Sequence, residues 1–416
     1  MEVKLNIGDR SQSVEVRDDL IMDVLLPNEV TKQELTESEL VERALREPIG
    51  TRPLREFVGG GKKIAIVTSD ITRPMPSWKV MPLLLDELYA GGARPEDIRL
   101  IFALGSHRGH TEEEMRHLVG DRAYEEIECL DLDTSDCVHF GYTRSGTPVD
   151  IDRRVAEADI RICIGNVEYH YFAGYSGGAK AIMPGVSTRA AIESNHSHMV
   201  EPDARVGKLE GNPIREDLEE ACAMVGVDFI LNVVLSPKKE ILYAAAGDVT
   251  EAHRAACRYL DSLYLKEIPG RADIVMVSQG GSPKDMNLYQ TQKALDNAKH
   301  AVRDGGVIIL VGSCREGFGE GTFEQWMREA EKPQDIVDRL KRGFRLGGHK
   351  AAAIALVLER CDIYLVSDLE PELVRSIFME PFATVAEAYE KAKEKCGEDA
   401  RVLVMPYGGS TLPKID

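Results

Sequence analysis

Nothing in this sequence approaches the roughly 20 consecutive apolar residues that a membrane-spanning helix needs. No membrane partner is therefore expected. The opening residues, MEVKLNIGDRSQSVEV, lack the apolar core and cleavage pattern of a secretory signal. Basic residues are in deficit: 51 Lys and Arg stand against 70 Asp and Glu, a formal net charge of -19. Such an acidic surface disfavours nucleic acid, while leaving room for a local basic pocket that takes a carboxylate. None of the eight cysteines forms a CxxC pair, and Cys163 and Cys361 fall inside strand-like apolar runs. They read as buried thiols in a reducing compartment, the cytoplasm, and not as a disulfide framework or a structural zinc site.

Three familiar signatures are missing as well. GYSGGAK at 174–180 has Ala179 before Lys180 and Ala181 after it, where a phosphate loop requires Gly-Lys followed by Ser or Thr. No carboxylate is spaced to make the HExxH set of a zinc hydrolase. GEGTFEQW at 319–326 does not fit a dinucleotide-binding GxGxxG.

What is present is strand–helix alternation. The chain is 416 residues long with 43% hydrophobic content, too much for one compact domain by the usual size limit. Residues 2–7 and 11–16 alternate around Gly8-Asp9 as a hairpin, and 33–46 read as a surface helix. Apolar runs KKIAIVTSD, IRLIFALG, ADIRICIG and DFILNVVLS then alternate with helical stretches. After Gly270 come ADIVMVSQ, GGVIILVGS, CDIYLVSD and ARVLVMPYGG, with helical patterns at 322–341 and 377–396 between them. The fold expected is α/β with two α/β domains. The first spans residues 1–270 and the second 271–400, with 401–416 free to return to the first domain.

Chemistry-bearing residues gather after strands, where α/β sheets deliver function. Asp70-Ile71-Thr72-Arg73-Pro74 follows the first run. Arg73 suits a carboxylate held by two parallel hydrogen bonds, and Asp70 is placed to orient it or bind a hydroxyl. A surface salt bridge at a turn is the plainer account of this pair. Gly105-Ser106-His107-Arg108-Gly109-His110 follows the second run. His107, nearest the strand exit, is the better proton-transfer candidate, and His110 the more structural one. The third run leads into His170, the glycines at 174, 177 and 178, Lys180, His196 and His198. A glycine-held lysine can bond covalently to a cofactor or bind an anion. His196 and His198 share a face if they lie on a strand, and on a loop either can bind a metal. In the second domain Gln290 and Lys293 are three apart, on one side of a helix.

Taken together, SDITRP at 69–74, GSHRGHTEEE at 105–114, EYHYFAGYSGGAKAIMPG at 168–185, SNHSHM at 194–199 and the 279–293 segment resemble the nickel-dependent lactate racemase family. Its wider membership covers other 2-hydroxy-acid racemases and epimerases. The resemblance implies an active site in the cleft between two α/β domains. It also implies a nickel-pincer nucleotide (nickel pyridinium-3,5-bisthiocarboxylic acid mononucleotide), supplied by cofactor-synthesis proteins. Lys180 resembles the lysine that anchors this cofactor covalently, and His196 the protein ligand to nickel. His107 and His170 resemble the acid–base pair on opposite faces of the substrate, and Arg73 the carboxylate-binding arginine. Gln290 and Lys293 contribute from the second domain, and Asp70 and Thr72 sit among the cofactor contacts. The chain departs from the family where lactate enzymes usually carry proline before the histidine: here Tyr169 stands there, with Tyr171-Phe172 after it. These rings point to a 2-hydroxy acid larger than lactate.

The expected activity is inversion at C2 by proton-coupled hydride transfer through a 2-keto acid. A sugar-acid dehydratase or lyase and a non-catalytic cofactor carrier are the competing accounts. Loss of water from the substrate marks the first, and inactivity despite full cofactor loading marks the second.

Overall fold

A computed structural model of the chain describes residues 1–28, 34–236 and 238–415. It divides into two compact units, Val30–Asp261 and Met1–Glu29 with Ser262–Asp416.

The unit Val30–Asp261 is built on a six-stranded sheet. Its strand order is Ile241–Gly247, Phe229–Leu235, Ile160–Asn166, Ile64–Ser69, Ile98–Ala103, Glu128–Asp131. All neighbours pair in parallel except the edge strand Ile241–Gly247, which is antiparallel. The central strands read as continuous apolar runs because both their faces are covered; Ile64 to Val67 are all buried. The helix Ser77–Ala90 buries Val80, Met81, Leu84, Leu85 and Leu88, and these join the strand residues Ile66, Leu100 and Ile162 in one core.

The chain starts this sheet at Ile64–Ser69 and adds two strands on one side. It then returns to add Ile160–Asn166 on the other. The order therefore reverses beside Ile64–Ser69, and the crevice at the carboxyl ends of these strands is where such sheets bind ligands.

The helix expected at 33–46 runs Glu37–Arg46, with Thr36 and Glu39 forming a reciprocal capping box. Residue 33 lies outside the described residues. This helix is not simply a surface one, since Leu40, Val41, Ala44 and Leu45 face the core.

The second unit carries an all-parallel sheet in the order Glu380–Phe382, Asp362–Val366, Val302–Val311, Ala272–Ser278, Val402–Met405, Ile21–Val24. Two expected boundaries are corrected here. Residues 1–29 do not belong to the first domain: Ile21–Val24 forms the edge of this second sheet, and the hairpin Glu2–Ile7/Arg10–Glu15 buries Val3, Leu5 and Ile7 against Ile274, Met276 and Val307. The tail at 401–416 also stays in this unit, because Leu412–Lys414 pairs in parallel with Leu265–Glu267. The pattern at 322–341 is two helices, Gly321–Glu329 and Pro333–Arg342, since Pro333 has no amide to continue the first and starts the second.

Among the described residues no helix is long and apolar enough to cross a membrane.

Candidate functional site

Three adjacent parallel strands end in the candidate residues. Ser69 leads to Asp70, Ala103 to His107, and Asn166 to His170.

At the first two ends Asp70 is the organiser. Its Oδ2 lies 2.9 Å from His107 Nδ1, and its Oδ1 accepts the Thr72 amide at 2.7 Å. Thr72 Oγ1 lies 3.4 Å from the same His107 nitrogen. Burial works against the Asp70 charge, but the hydrogen bonds from His107 and Thr72 outweigh it and hold the carboxyl below its ordinary pKa. A carboxylate only accepts, so His107 Nδ1 carries the proton and Nε2 presents its lone pair. Asp70, expected among the cofactor contacts, is thus engaged with His107 and the loop. Arg73 is exposed, and its guanidinium makes no hydrogen bond or ion pair among the described residues.

This loop has a support that the sequence reading set aside as structural. His110, its side chain fully buried, lies with Nδ1 2.6 Å from Asp131 Oδ1 and accepts the Ile71 amide on Nε2 at 3.0 Å.

At the third strand end a two-residue strand pair presents His170. Tyr169–His170 runs antiparallel to Gly174–Tyr175, with His170 opposite Gly174. Gly174 has φ +76, and a Cβ there would collide with the Lys208 carbonyl. Gly174→Ala should therefore cost about 2 kcal/mol or more, from left-handed strain plus the displaced backbone. Urea denaturation measures this, and an unchanged midpoint would refute the close approach.

His170 Nδ1 accepts the Ala173 amide at 3.3 Å, so in the neutral ring Nε2 bears the proton. Burial drives its pKa well below the ordinary histidine value, helped by the charges of Lys180 and Arg73. Phe172 is buried beside three candidate groups, meeting both histidine rings in edge-to-face geometry with the Lys180 ammonium over its ring. It lies 4.5 Å from the His170 ring, 4.8 Å from the His196 ring and 5.8 Å from Lys180 Nζ.

Lys180 sits in the short turn Gly178–Ala181. Its ammonium has no hydrogen-bond or ion-pair partner among the described residues. Burial, then the charges of Arg73 and Arg215, hold its pKa well below the ordinary lysine value. His196 lies neither on a strand nor in a loop: it stands in the last turn of the helix Arg189–Ser197, capped by Thr188. Its Nδ1 is 3.0 Å from Asn195 Oδ1. His198 turns instead to Glu201 at 2.6 Å.

The sequence profile of the lactate racemase N-terminal domain matches residues 7–207, and that of the lactate racemase C-terminal domain matches residues 268–412. The chain belongs to the lactate racemase family. It is 35% identical to the lactate racemase of Thermoanaerobacterium thermosaccharolyticum, over 89% of each chain. It is 35% identical to that of Lactiplantibacillus plantarum, over 89% of this chain and 90% of the other. The solved apoprotein structure of the Thermoanaerobacterium lactate racemase superposes with a TM-score of 0.88 at 32% identity, covering 100% of both chains. A Thermotoga maritima protein at 21% identity shares the fold, with a TM-score of 0.63 over 92% of this chain and 99% of its own.

Within this lactate racemase family member, Asp70, Thr72 and His107 are joined by hydrogen bonds. His170, Lys180 and His196 gather around Phe172, and the Arg73 charge is felt at both His170 and Lys180. Gln290 and Lys293 stand on the helix Leu288–Ala298 of the other unit, where the Gln290 carbonyl accepts from Gln279 Nε2 at 3.3 Å.

Sequence reasoning missed two polar side chains that hold the glycine loop and its flanking strand pair. Asn232 Oδ1 accepts the Gly178 amide at 2.9 Å, and Asp261 accepts the hydroxyls of Tyr169 and Tyr175, each at 2.8 Å. Asn232 carried a visible signal, as the lone polar residue in the apolar run FILNVVL.

Proposed function

We propose that this chain is a racemase or epimerase that inverts C2 of a 2-hydroxy acid, with Lys180 as the covalent anchor of a nickel-pincer nucleotide and His196 as the protein ligand to its nickel. The chain's residues fit such a group. A half-buried lysine without a hydrogen-bond or ion-pair partner among the described residues, its charge disfavoured, is a ready nucleophile, and His196 has its Nδ1 beside Asn195 Oδ1. When bound, the nucleotide supplies a hydride acceptor and donor, which no side chain of this chain offers.

The observation that carries the reading is a pair of histidines at two strand ends, each held through Nδ1. His107 offers a lone pair on Nε2 because its Nδ1–H donates to Asp70, and His170 is held at Nδ1 by the Ala173 amide, a contact it gives up when it is protonated. Inversion through a 2-keto acid needs two such rings, one neutral and one imidazolium. The neutral ring takes the hydroxyl proton, and the imidazolium returns a proton after the flat ketone has turned, so the two rings exchange protonation states in each turnover. Arg73, free of protein partners, holds the carboxylate by two parallel bonds throughout. Gln290 and Lys293 are proposed as further substrate contacts.

We assign a substrate bulkier than lactate because of the rings beside His170. Tyr171 stacks on it at 5.3 Å and Phe172 meets it edge-on, while Tyr169 is tied to Asp261.

The test is to incubate the cofactor-loaded protein with each enantiomer of a panel of 2-deuterated 2-hydroxy acids. The opposite enantiomer should appear with deuterium kept at C2. Deuterium lost to solvent at the turnover rate would sink the hydride route, and a dehydrated product would replace racemase with dehydratase.

A further inference from the structure

The segment joining His170 to Lys180 has every backbone carbonyl from Phe172 to Ser176 capped. The Phe172 carbonyl accepts from Asn212 Nδ2 at 2.8 Å, and that of Gly174 accepts the Gly207 amide at 3.1 Å. The Ser176 carbonyl accepts from His253 Nε2 at 2.8 Å. Ala173 and Tyr175 are both held by one side chain, Arg215, through Nε at 3.1 Å and through Nη2.

Arg215 is 0% exposed. Its Nη1 has no hydrogen-bond partner, and the nearest carboxylate oxygen, Glu219 Oε1, is 3.7 Å away. Glu219 is itself engaged by the two terminal nitrogens of Arg254, at 2.8 and 3.0 Å. A guanidinium removed from water without a bonded carboxylate is costly to keep. A helix needs no such group for its own stability, and the planar fork is suited to reaching two carbonyls at fixed spacing.

We infer that Arg215 is a positioning residue for the reaction: by gripping the Ala173 and Tyr175 carbonyls it sets His170 on one side of the loop and Lys180 on the other. This rests on the roles given above to His170 and Lys180. The strand pair that presents His170 contains Tyr175 itself, opposite Tyr169. The turn that carries Lys180 begins two residues beyond the Ser176 carbonyl that His253 caps, and the His253 ring lies 2.8 Å from where a Cβ on Gly178 would sit. One fork therefore governs the path between the proton-transfer group and the cofactor anchor. Its charge also reaches both, adding to the positive field at His170 and Lys180.

The experiment uses the full chain, with and without cofactor, as wild type, Arg215→Gln and Arg215→Lys. In the cofactor-free proteins, amide hydrogen exchange is read over residues 172–178, and Lys180 reactivity is read by reductive methylation with formaldehyde and peptide mass. Arg215→Gln should keep a cooperative thermal transition while exchange across the loop rises about tenfold. The Lys180 labelling rate should change several-fold. In loaded protein its kcat should fall about a hundredfold with KM little changed, as for a misplaced reacting group. Arg215→Lys should restore part of kcat, because an ammonium reaches one carbonyl but not both.

If Arg215→Gln does not fold, Arg215→Lys carries the test. Wild-type exchange and labelling in a folded variant, with wild-type kcat, would overturn the inference. An unmodified Lys180 in active wild-type protein would overturn the anchor assignment instead, and the exchange and labelling of cofactor-free protein would still decide the role of Arg215 in fixing the loop.

Discussion

Lys180→Ala is expected to give a folded protein that carries no covalent nucleotide and shows no detectable racemisation. Lys180 contributes nothing that the fold needs. Its ammonium has no hydrogen-bonded partner among the described residues, and burial together with Arg73 and Arg215 disfavours its charge. Removing such a group relieves a desolvation penalty instead of breaking a pair, so stability should hold or rise. The chemistry is the opposite case. Covalent attachment needs the unprotonated amine, and the lowered pKa makes that form more accessible. Lys180→Arg makes the contrast sharper: it keeps a cation at the same place, but a guanidinium stays protonated and does not attach. Denaturing intact mass and peptide mapping of protein made alongside the cofactor-synthesis machinery reads attachment directly, nickel content reads retention, and a thermal melt reads the fold. Full activity in Lys180→Ala, or a nucleotide adduct on another residue in wild type, would refute the anchor.

The strand ends were legible in the sequence because each central strand is a buried apolar run that stops abruptly at a polar cluster. SDITRP after Ile64–Ser69 and GSHRGH after Ile98–Ala103 are such stops. What escaped was non-local. The place of residues 1–29 depends on Ile21–Val24 pairing with Val402–Met405, nearly the whole chain away, and no local pattern encodes that partner. His196 was read as strand or loop because His-Ser-His alternates, although Thr188 four residues before Ile192 marked a helix start. Arg215 lies in the amphipathic stretch PIREDLEEACAMV, where an arginine ordinarily faces water. Only the fold shows that it turns inward to carbonyls some 40 residues earlier in the chain.

Removing either histidine of the proposed acid–base pair is expected to slow racemisation by about 10²–10⁴, the usual contribution of a positioned proton-transfer group. The more telling result is which half of the reaction survives. For an acid with one stereocentre the equilibrium constant between enantiomers is unity, so the two directions must keep equal kcat/KM in every variant. Steady-state rates therefore cannot separate the histidines. A single turnover can: in His107→Asn, one enantiomer should still be oxidised to the 2-keto acid by way of His170, while the other is not. In His170→Asn the enantiomers should exchange roles. Asp70→Asn should follow His107→Asn and not His170→Asn, because the Asp70 carboxylate fixes the proton on His107 Nδ1 and makes no bond to His170. Rapid quench with chiral analysis of both enantiomers on loaded protein reads all three variants. Equal keto-acid formation from both enantiomers in each single variant would dissolve the division of labour between the faces. Wild-type turnover in the double variant would remove both histidines from the chemistry.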